Sequence, residues 1–529
     1  VTQVTDRATA PGAVATWSSP APLRPTPDFG PTDRLRGWLV TLVLTALAAV
    51  TRFSALNYPT DAGTPVFDEK HYAPQAWQML TGGGVEDNPG YGLVVHPPVG
   101  KQMIAIGEFL FGYNGWGWRF TAALAGTLLV LLVIRIVRRM TRSTLIGAIA
   151  GILMIADGLL YVSSRIGMLD IFMALFVTAA FGCLIVDRDD VRARLARADA
   201  EGRAALTAWG PRLGVRWWRF GAGVLLGLAC GTKWSGLYFV AAFGILSVCF
   251  DLTARRAYGV PSPWRGTALR DVGPALYALV VVPLGVYLAT YWAWFASETG
   301  VYRHAVGNQI GTDGRWSFLP DALRSLWFYS GESLHFHEGL TNSAGNHHPW
   351  ESKPWTWPMG LRPMLYYYAD NVNGCEPGQC VKAVMLIGNP AIWWIALPVL
   401  AWALWRSVVR RDWRYAAVLT GYAAALLPWF LTLDRQMYYF YAVPLAPFLM
   451  MAVALMLGDV IGPARAAPRR VADPHAFALP DERHSLGLLA VCLYLGLVVA
   501  AFVWFWPIMS AMAITPDEWH VRLWLPSWR

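Results

Sequence analysis

Charge is what this chain has least of. Only 15% of its 529 residues are Asp, Glu, Lys or Arg, against 55% hydrophobic, and mean hydropathy is positive. A soluble protein carries about 25% charged residues, so a soluble globular chain is excluded. Lysine is scarcer still, five residues beside 38 arginines. The bias suits a GC-rich genome. All five lysines (Lys70, Lys101, Lys233, Lys353 and Lys382) fall outside the segments read below as cytoplasmic. Cysteine is limited to six. Cys183, Cys230, Cys249 and Cys492 lie in or at the ends of apolar runs and read as packing residues. Cys375 and Cys380 share the stretch "NGCEPGQC" and are expected to form a disulfide on an oxidising side, since two cysteines alone do not complete a zinc site. No basic patch with interleaved aromatics lies on a soluble face, which argues against nucleic acid as a partner. No internal repeat and no separate soluble domain is visible.

The missing charge is concentrated into long apolar blocks. A spanning helix needs roughly 20 such residues. Eleven blocks qualify, at about 37–56, 116–136, 143–163, 167–186, 220–233, 235–251, 272–295, 384–405, 415–433, 440–460 and 485–507. The expected fold is therefore an all-α polytopic membrane protein. With the N-terminus in the cytoplasm, 28 of the 43 Lys and Arg fall in short cytoplasmic stretches, so the positive-inside rule gives N-in, C-out. Residues 1–36 read as a disordered cytoplasmic tail, with the first span as an uncleaved anchor. Residues 37–507 read as the membrane domain and 508–529 as an external C-terminal segment. Two external loops are long, 57–115 and 296–383. The first is expected to hold amphipathic helices, including "DEKHYAPQAWQML" despite its Pro74, and the second a surface helix near 319–338. The stretch 187–219 alternates Arg with acidic residues and reads as a solvated helix.

Ionisable groups at span ends are costly and are usually functional. Arg52, Arg119, Asp157, Arg165, Asp170, Lys233 and Arg435 all fall at the outer side of this topology. The first loop adds Asp68, Glu69, His96 and Lys101. Singly, each could be a snorkelling cation or a structural ion pair. Together they suit a lipid phosphate, which sits at that depth and is bound by Arg and Lys. A sugar on a polyprenyl phosphate has a leaving group that departs without a proton. Such chemistry needs cations for the developing phosphate charge and one general base for the attacking hydroxyl. The adjacent carboxylates of "VFDEKHYAPQA" offer that base.

The stretches "RFSALNYP…VFDEKHYAPQA", "HPPVGK", "GWRFTAALAG", "SSRIGMLDIFM", "GTKWSGLYF", "NHHPWESKPWTWP", "GNPAIWW" and "DRQMYYFYAVP" stand in this order between about Arg52 and Pro444. In that order the chain resembles the protein O-mannosyltransferases (glycosyltransferase family 39) of the GT-C superfamily, in their bacterial, actinobacterial-type form. The resemblance implies a GT-C fold with about eleven transmembrane helices, N-in and C-out. Eukaryotic members carry a β-trefoil domain in the loop after the seventh span, and here that loop has no room for one. Asp68 then matches the catalytic acidic residue, the general base for the acceptor hydroxyl, and Glu69 the second acidic residue of its motif. Arg119, Lys233 and Arg435 become candidates for the donor phosphate. Lys101 and His96 would shape the floor of the site. Arg165 and Asp170 match a paired motif, His348 would touch sugar or acceptor, and Arg52 would support the first loop.

The implied activity is inverting transfer of mannose from polyprenyl-phosphate mannose to Ser/Thr hydroxyls of secreted proteins, at the outer face of a bacterial plasma membrane. Implied partners are that donor, the secreted polypeptides near the secretion translocon, and membrane lipids. A transferase using the same donor on a glycolipid or glycan acceptor is the alternative. A lipid-sugar flippase fits less well, because no inverted repeat is seen and the polar residues cluster at one face. No cofactor is called for. His335, His337, His347 and His348 tempt a zinc assignment, but their spacing fits no zinc signature, and a divalent metal is not expected.

Overall fold

The computed structural model describes residues 34–88, 92–375, 378–462 and 480–529. Residues 1–33 of the expected tail and most of the stretch 465–483 lie outside these residues, while 34–36 of that tail are helical. Among the described residues, eight helices are long and apolar enough to cross a membrane: Arg34–Phe53, Gly115–Thr141, Asp170–Ala200, Gly236–Ala257, Val272–Thr290, Pro390–Val408, Tyr439–Ile461 and Arg483–Met509. Three other expected runs form shorter helices, Thr144–Ile155, Trp217–Thr232 and Trp413–Leu426. The first nine helices position the site and are labelled α1 (Arg34–Phe53), α2 (Glu69–Thr81), α3 (Val99–Phe111), α4 (Gly115–Thr141), α5 (Thr144–Ile155), α6 (Gly158–Ser163), α7 (Asp170–Ala200), α8 (Trp217–Thr232) and α9 (Gly236–Ala257).

Local chemistry explains where the helices break. The run 143–163 is interrupted at Asp157. Its carboxylate accepts from Leu160 N (3.1 Å), Asn389 N (3.2 Å) and Trp393 Nε1 (2.7 Å), so it starts α6 and pins a distant turn. The run 272–295 widens into a π-turn at Tyr277–Val281 just before Pro283. A proline ring clashes with the carbonyl four residues back, and a wider turn relieves the clash. The fourth run extends far beyond its apolar part, since α7 continues to Ala200. The rest of 187–219 is irregular up to Trp217, so only its first half is helical.

The helix Tyr439–Ile461 runs through the centre, with nearly every side chain buried. Around the outside, α1 and Arg483–Met509 expose Leu39, Val43, Leu493 and Leu497. Exposed apolar rows of this kind need lipid, not water. The α2–α3 segment of the first loop lies against α4. A Cβ on Gly107 would come within 2.2 Å of Gly117 O, so this close approach of α3 to α4 requires glycine.

One element departs from the all-α expectation. Strands β1 (Met364–Cys375) and β2 (Gly378–Leu386) form an antiparallel hairpin, with Met364 opposite Leu386 and Cys375 opposite Gly378. Cys375 and Cys380 are disulfide-bonded at its tip. The C-terminal segment covers part of its edge, as Val381 and Ile514 exchange backbone hydrogen bonds of 2.8 and 3.1 Å. The run "MLYYYADN" alternates poorly and is rich in tyrosine, so it reads as interfacial aromatic chain, not as strand.

At the far end of α7, Arg216 and Arg219 share Asp187 and Asp251. Arg216 Nε lies 2.8 Å from Asp187 Oδ1 and its Nη1 2.9 Å from Asp251 Oδ1. Arg219 Nη2 bonds Asp251 Oδ2. Arg255 pairs with Asp271 at 2.6 and 2.8 Å. All six side chains are buried. Removing one member of such a set leaves an uncompensated buried charge, at a cost of about 3–5 kcal/mol. Asp251→Asn is expected to lower the thermal midpoint of the purified protein steeply; an unchanged midpoint would refute this role.

Candidate active site

The site is assembled on the loop between α1 and α4. Two buried cations, Arg119 and Arg165, hold that loop, and a third, Arg52, ties the end of α1 to α5. Arg119, entering from α4, grips Glu69 with two parallel bonds (Nε–Oε1 2.7 Å, Nη2–Oε2 2.8 Å) and also donates to Leu56 O at 3.1 Å and Pro59 O at 2.8 Å. Glu69 further accepts from Gly167 N at 2.6 Å and Val66 N at 3.2 Å. Both side chains are fully buried. Arg165 donates to the carbonyls of Arg52 (3.0 Å), Ser54, Ala55 (3.0 Å) and Thr51 (3.3 Å), capping the end of α1. Arg52 turns inward to Met154 O at 3.0 Å. Arg119, Arg165 and Arg52 are thus occupied with the protein itself, and Glu69 is saturated.

Asp68 differs. It stands at the start of α2 with no side-chain cap bond, and its carboxylate has no ion pair among the described residues. The residue before it, Phe67, has φ +50°, a left-handed conformation that a bulky side chain rarely adopts. The Phe67 ring stacks on Tyr366 of β1 at 4.3 Å and meets Phe440 edge-on at 6.1 Å. The hairpin that sequence reasoning missed therefore backs the turn carrying Asp68. Burial pushes the Asp68 carboxyl up to about 6, against the opposing pull of Lys233 and Lys70.

Lys233 lies in the turn between α8 and α9. Its Nζ contacts Asp170, the first residue of α7, at 2.7 and 2.9 Å, and lies 5.4 Å from the ring centres of both Phe440 and Tyr441. Asp170 is thus paired with Lys233 and not with Arg165. Beyond Lys233 is a basic corner. His337, on the surface helix Asp321–Gly339, approaches Val95 O through Nε2 (3.1 Å) and Arg435 Nη2 through Nδ1 (3.1 Å). A carbonyl only accepts, so Nε2 carries the proton and Nδ1 accepts from the guanidinium. The His96 ring lies 5.3 Å from that of His337. Burial holds His96 well below the usual histidine range, helped by Lys233, His337, Lys101 and Arg435. Burial first, then Arg435, lowers His337 to about 4. Both imidazoles are neutral near pH 7. Among the described residues Arg435 has no carboxylate partner, and its buried Nε has no hydrogen-bond partner.

Lys101 is fully buried and spent on Glu86 (2.5 Å) and His96 O (2.8 Å). It buttresses the "HPPVGK" turn from behind. His348 accepts from Trp350 N at 3.1 Å and packs edge-on against Tyr438, whose ring stacks on Phe440. Lys353 ties the two external stretches together by bonding Leu433 O and Arg435 O, each at 3.0 Å. His335 and His347 are exposed. Among the described residues no group of three or more His, Cys, Asp or Glu could hold a metal ion. The arrangement offers an unpaired carboxylate, a lysine beside it and an unneutralised arginine beyond. Sequence reasoning missed His337, Glu86 and Tyr366. Only "HFHE" carried a signal, and it pointed toward metal.

Residues 111–297 match the family signature described as dolichyl-phosphate-mannose-protein mannosyltransferase, and residues 322–528 that of the C-terminal four-transmembrane region of protein O-mannosyltransferase. A polyprenol-phosphate-mannose–protein mannosyltransferase of Mycolicibacterium smegmatis (strain MKD8) is 60% identical over 526 residues, 99% of each chain. That of Mycobacterium tuberculosis (strain H37Rv) is 61% identical over 512 residues, 97% of this chain and 95% of the relative. In fold, the chain resembles the Saccharomyces cerevisiae Pmt1–Pmt2 complex bound to the sugar donor (TM-score 0.69, 16% identity, 94% of this chain and 93% of that one). ArnT of Cupriavidus metallidurans bound to undecaprenyl phosphate is more distant (TM-score 0.50, 16% identity, 90% and 77%). With relatives this similar along almost its whole length, the chain belongs to the protein O-mannosyltransferase family.

Proposed function

We propose that the protein transfers mannose from polyprenyl-phosphate mannose to Ser or Thr hydroxyls of secreted polypeptides, at the outer face of the plasma membrane, with inversion at the anomeric carbon. The observation that carries this reading is the contrast within one dipeptide. Glu69 is locked to Arg119, while Asp68 is unpaired and has a raised pKa. Asp68 is the general base. It takes the proton from the acceptor hydroxyl as the oxygen attacks the anomeric carbon. The bond from that carbon to the phosphate oxygen breaks, and polyprenyl phosphate leaves with the electron pair.

Arg435 binds the donor phosphate. Its guanidinium is unneutralised and is oriented by neutral His337, so its spare donors are available to an anion. Lys233 opposes the effect of burial and favours the ionised form of Asp68, and it adds positive charge as the leaving group forms. Glu69 and Arg119 act by positioning, because they fix the loop from which Asp68 projects. His348 and Tyr438 line the side from which sugar or acceptor approaches.

Asp68→Asn should bind donor normally yet lose transfer by roughly 100- to 10,000-fold, read with labelled donor and a Thr-rich peptide. A variant with near-normal transfer removes Asp68 as the base. In the wild type, kcat/KM should fall about tenfold per pH unit below about 6, where the carboxylate is protonated, and level off above it. Label appearing in glycolipid and not in peptide would overturn the protein acceptor. Arg435→Gln should weaken polyprenyl-phosphate binding roughly 10- to 100-fold without lowering the thermal midpoint; unchanged binding would remove it from the donor site. Glu69→Gln, by contrast, should cost about 3–5 kcal/mol of stability by leaving Arg119 uncompensated. A stable Glu69→Gln protein with selective loss of turnover would make Glu69 a catalytic residue instead.

A further inference from the structure

One cavity lies far from this chemistry. It holds about 400 Å³ and is lined by Asp190, Arg194, Arg197, Glu201, Arg203 and Arg212, with Ala198, Pro211 and Leu213 beneath. Its charges do not cancel. Arg194 pairs with Asp190 at 2.7 Å, and Arg203 pairs with Glu201. Arg197 and Arg212 are exposed and have no carboxylate partner among the described residues. Arg194 is also spent on the carbonyls of Leu213 and Val215, which fixes the strand of chain forming the cavity wall.

Two ion pairs measure the depth of this cavity. The α7 and α8 helices are cross-linked at one end by Asp170–Lys233 and at the other by Asp187–Arg216. The 17 residues between Asp170 and Asp187 rise about 26 Å, close to the roughly 30 Å of bilayer hydrocarbon. If Asp170 marks one edge of the hydrocarbon, Asp187 marks the other, and Arg194 and Arg197 lie about two and three turns further out. From just beyond the headgroups, long arginine side chains reach back toward the phosphates of the opposite leaflet. Tryptophans lie near the hydrocarbon edge, Trp217 and Trp218 directly following Arg216. Trp217 is 71% exposed, Trp218 50% and Trp264 65%, and exposed tryptophans gather at membrane interfaces.

We propose that this cavity binds the headgroup of an anionic phospholipid of the leaflet opposite the catalytic site, with Arg197 and Arg212 contacting its phosphate. A free phosphate would satisfy the same two guanidiniums, but the interfacial depth and the flanking tryptophans favour a lipid-borne one. Each arginine near an anionic surface contributes about 1 kcal/mol, roughly fivefold in affinity, so the two together give about 30-fold.

The test uses the full-length protein in detergent with added phosphatidylglycerol or phosphatidylcholine, read by native mass spectrometry. The wild type should retain phosphatidylglycerol in preference to phosphatidylcholine. Arg197→Gln/Arg212→Gln should weaken that retention about 30-fold, and the lysine pair Arg197→Lys/Arg212→Lys should restore most of it. Both pairs should keep the wild-type thermal midpoint. Equal phosphatidylglycerol binding by the wild type and the glutamine pair overturns the proposal. So does displacement of the lipid by inorganic phosphate at equal concentration, which would assign the cavity to a soluble anion. If the glutamine pair is destabilised, the lysine pair and phosphate competition on the wild type still decide.

Discussion

The buried pair between Glu69 and Arg119 is the constraint on which the catalytic end depends. Arg119 belongs to a long helix in the body of the bundle, while Glu69 opens a short helix in the loop between α1 and α4. Their two parallel bonds, with the carbonyls of Leu56 and Pro59 taking the remaining donors, make the loop part of the helix bundle. Taking both charges out of water is costly, and only complete satisfaction offsets it. Glu69 meets that condition through Gly167 and Val66. Asp68, the residue before Glu69, takes its position from that anchor.

Around that anchor, positive charge is divided between two duties. Arg52, Arg119, Arg165 and Lys101 spend their donors on backbone carbonyls and buried carboxylates. Lys233 is shared between Asp170 and the neighbourhood of Asp68, and Arg435 has no carboxylate partner among the described residues. Neutral His337 separates the two kinds. By accepting from Arg435 and donating to Val95, it orients a cation without neutralising it, which a carboxylate in its place could not do.

Much of this was legible in the chain, and the limits have physical causes. Apolar runs locate helices because hydrocarbon tolerates no unsatisfied backbone, and the breaks fall at Asp157 and Pro283, where side-chain chemistry demands them. The gathering of cations on one side was visible, and so was the Asp68–Glu69 pair. What could not be read was which cation was already occupied. Arg119 and Glu69 are 50 residues apart, and Arg165 is more than 100 from the carbonyls it caps. Such pairings are set by tertiary packing and leave no local trace. The β-hairpin was hidden because its tyrosines serve the Asp68 turn, as Tyr366 does by stacking on Phe67, and so break the alternation by which a strand is recognised.

The turn carrying Asp68 is fastened from three directions, by Arg119, by Arg165 at the end of α1 and by the stack of Phe67 on Tyr366. A base seated so firmly cannot reach toward what it deprotonates. Under the proposed transfer, all the adjustment falls to the incoming polypeptide, which must thread its hydroxyl into a recess that will not widen for it. A folded domain lacks that slack, whereas a chain emerging through the membrane still has it. Under that proposal the rigidity of one loop sets a deadline, with sugar added while the acceptor is still pliable.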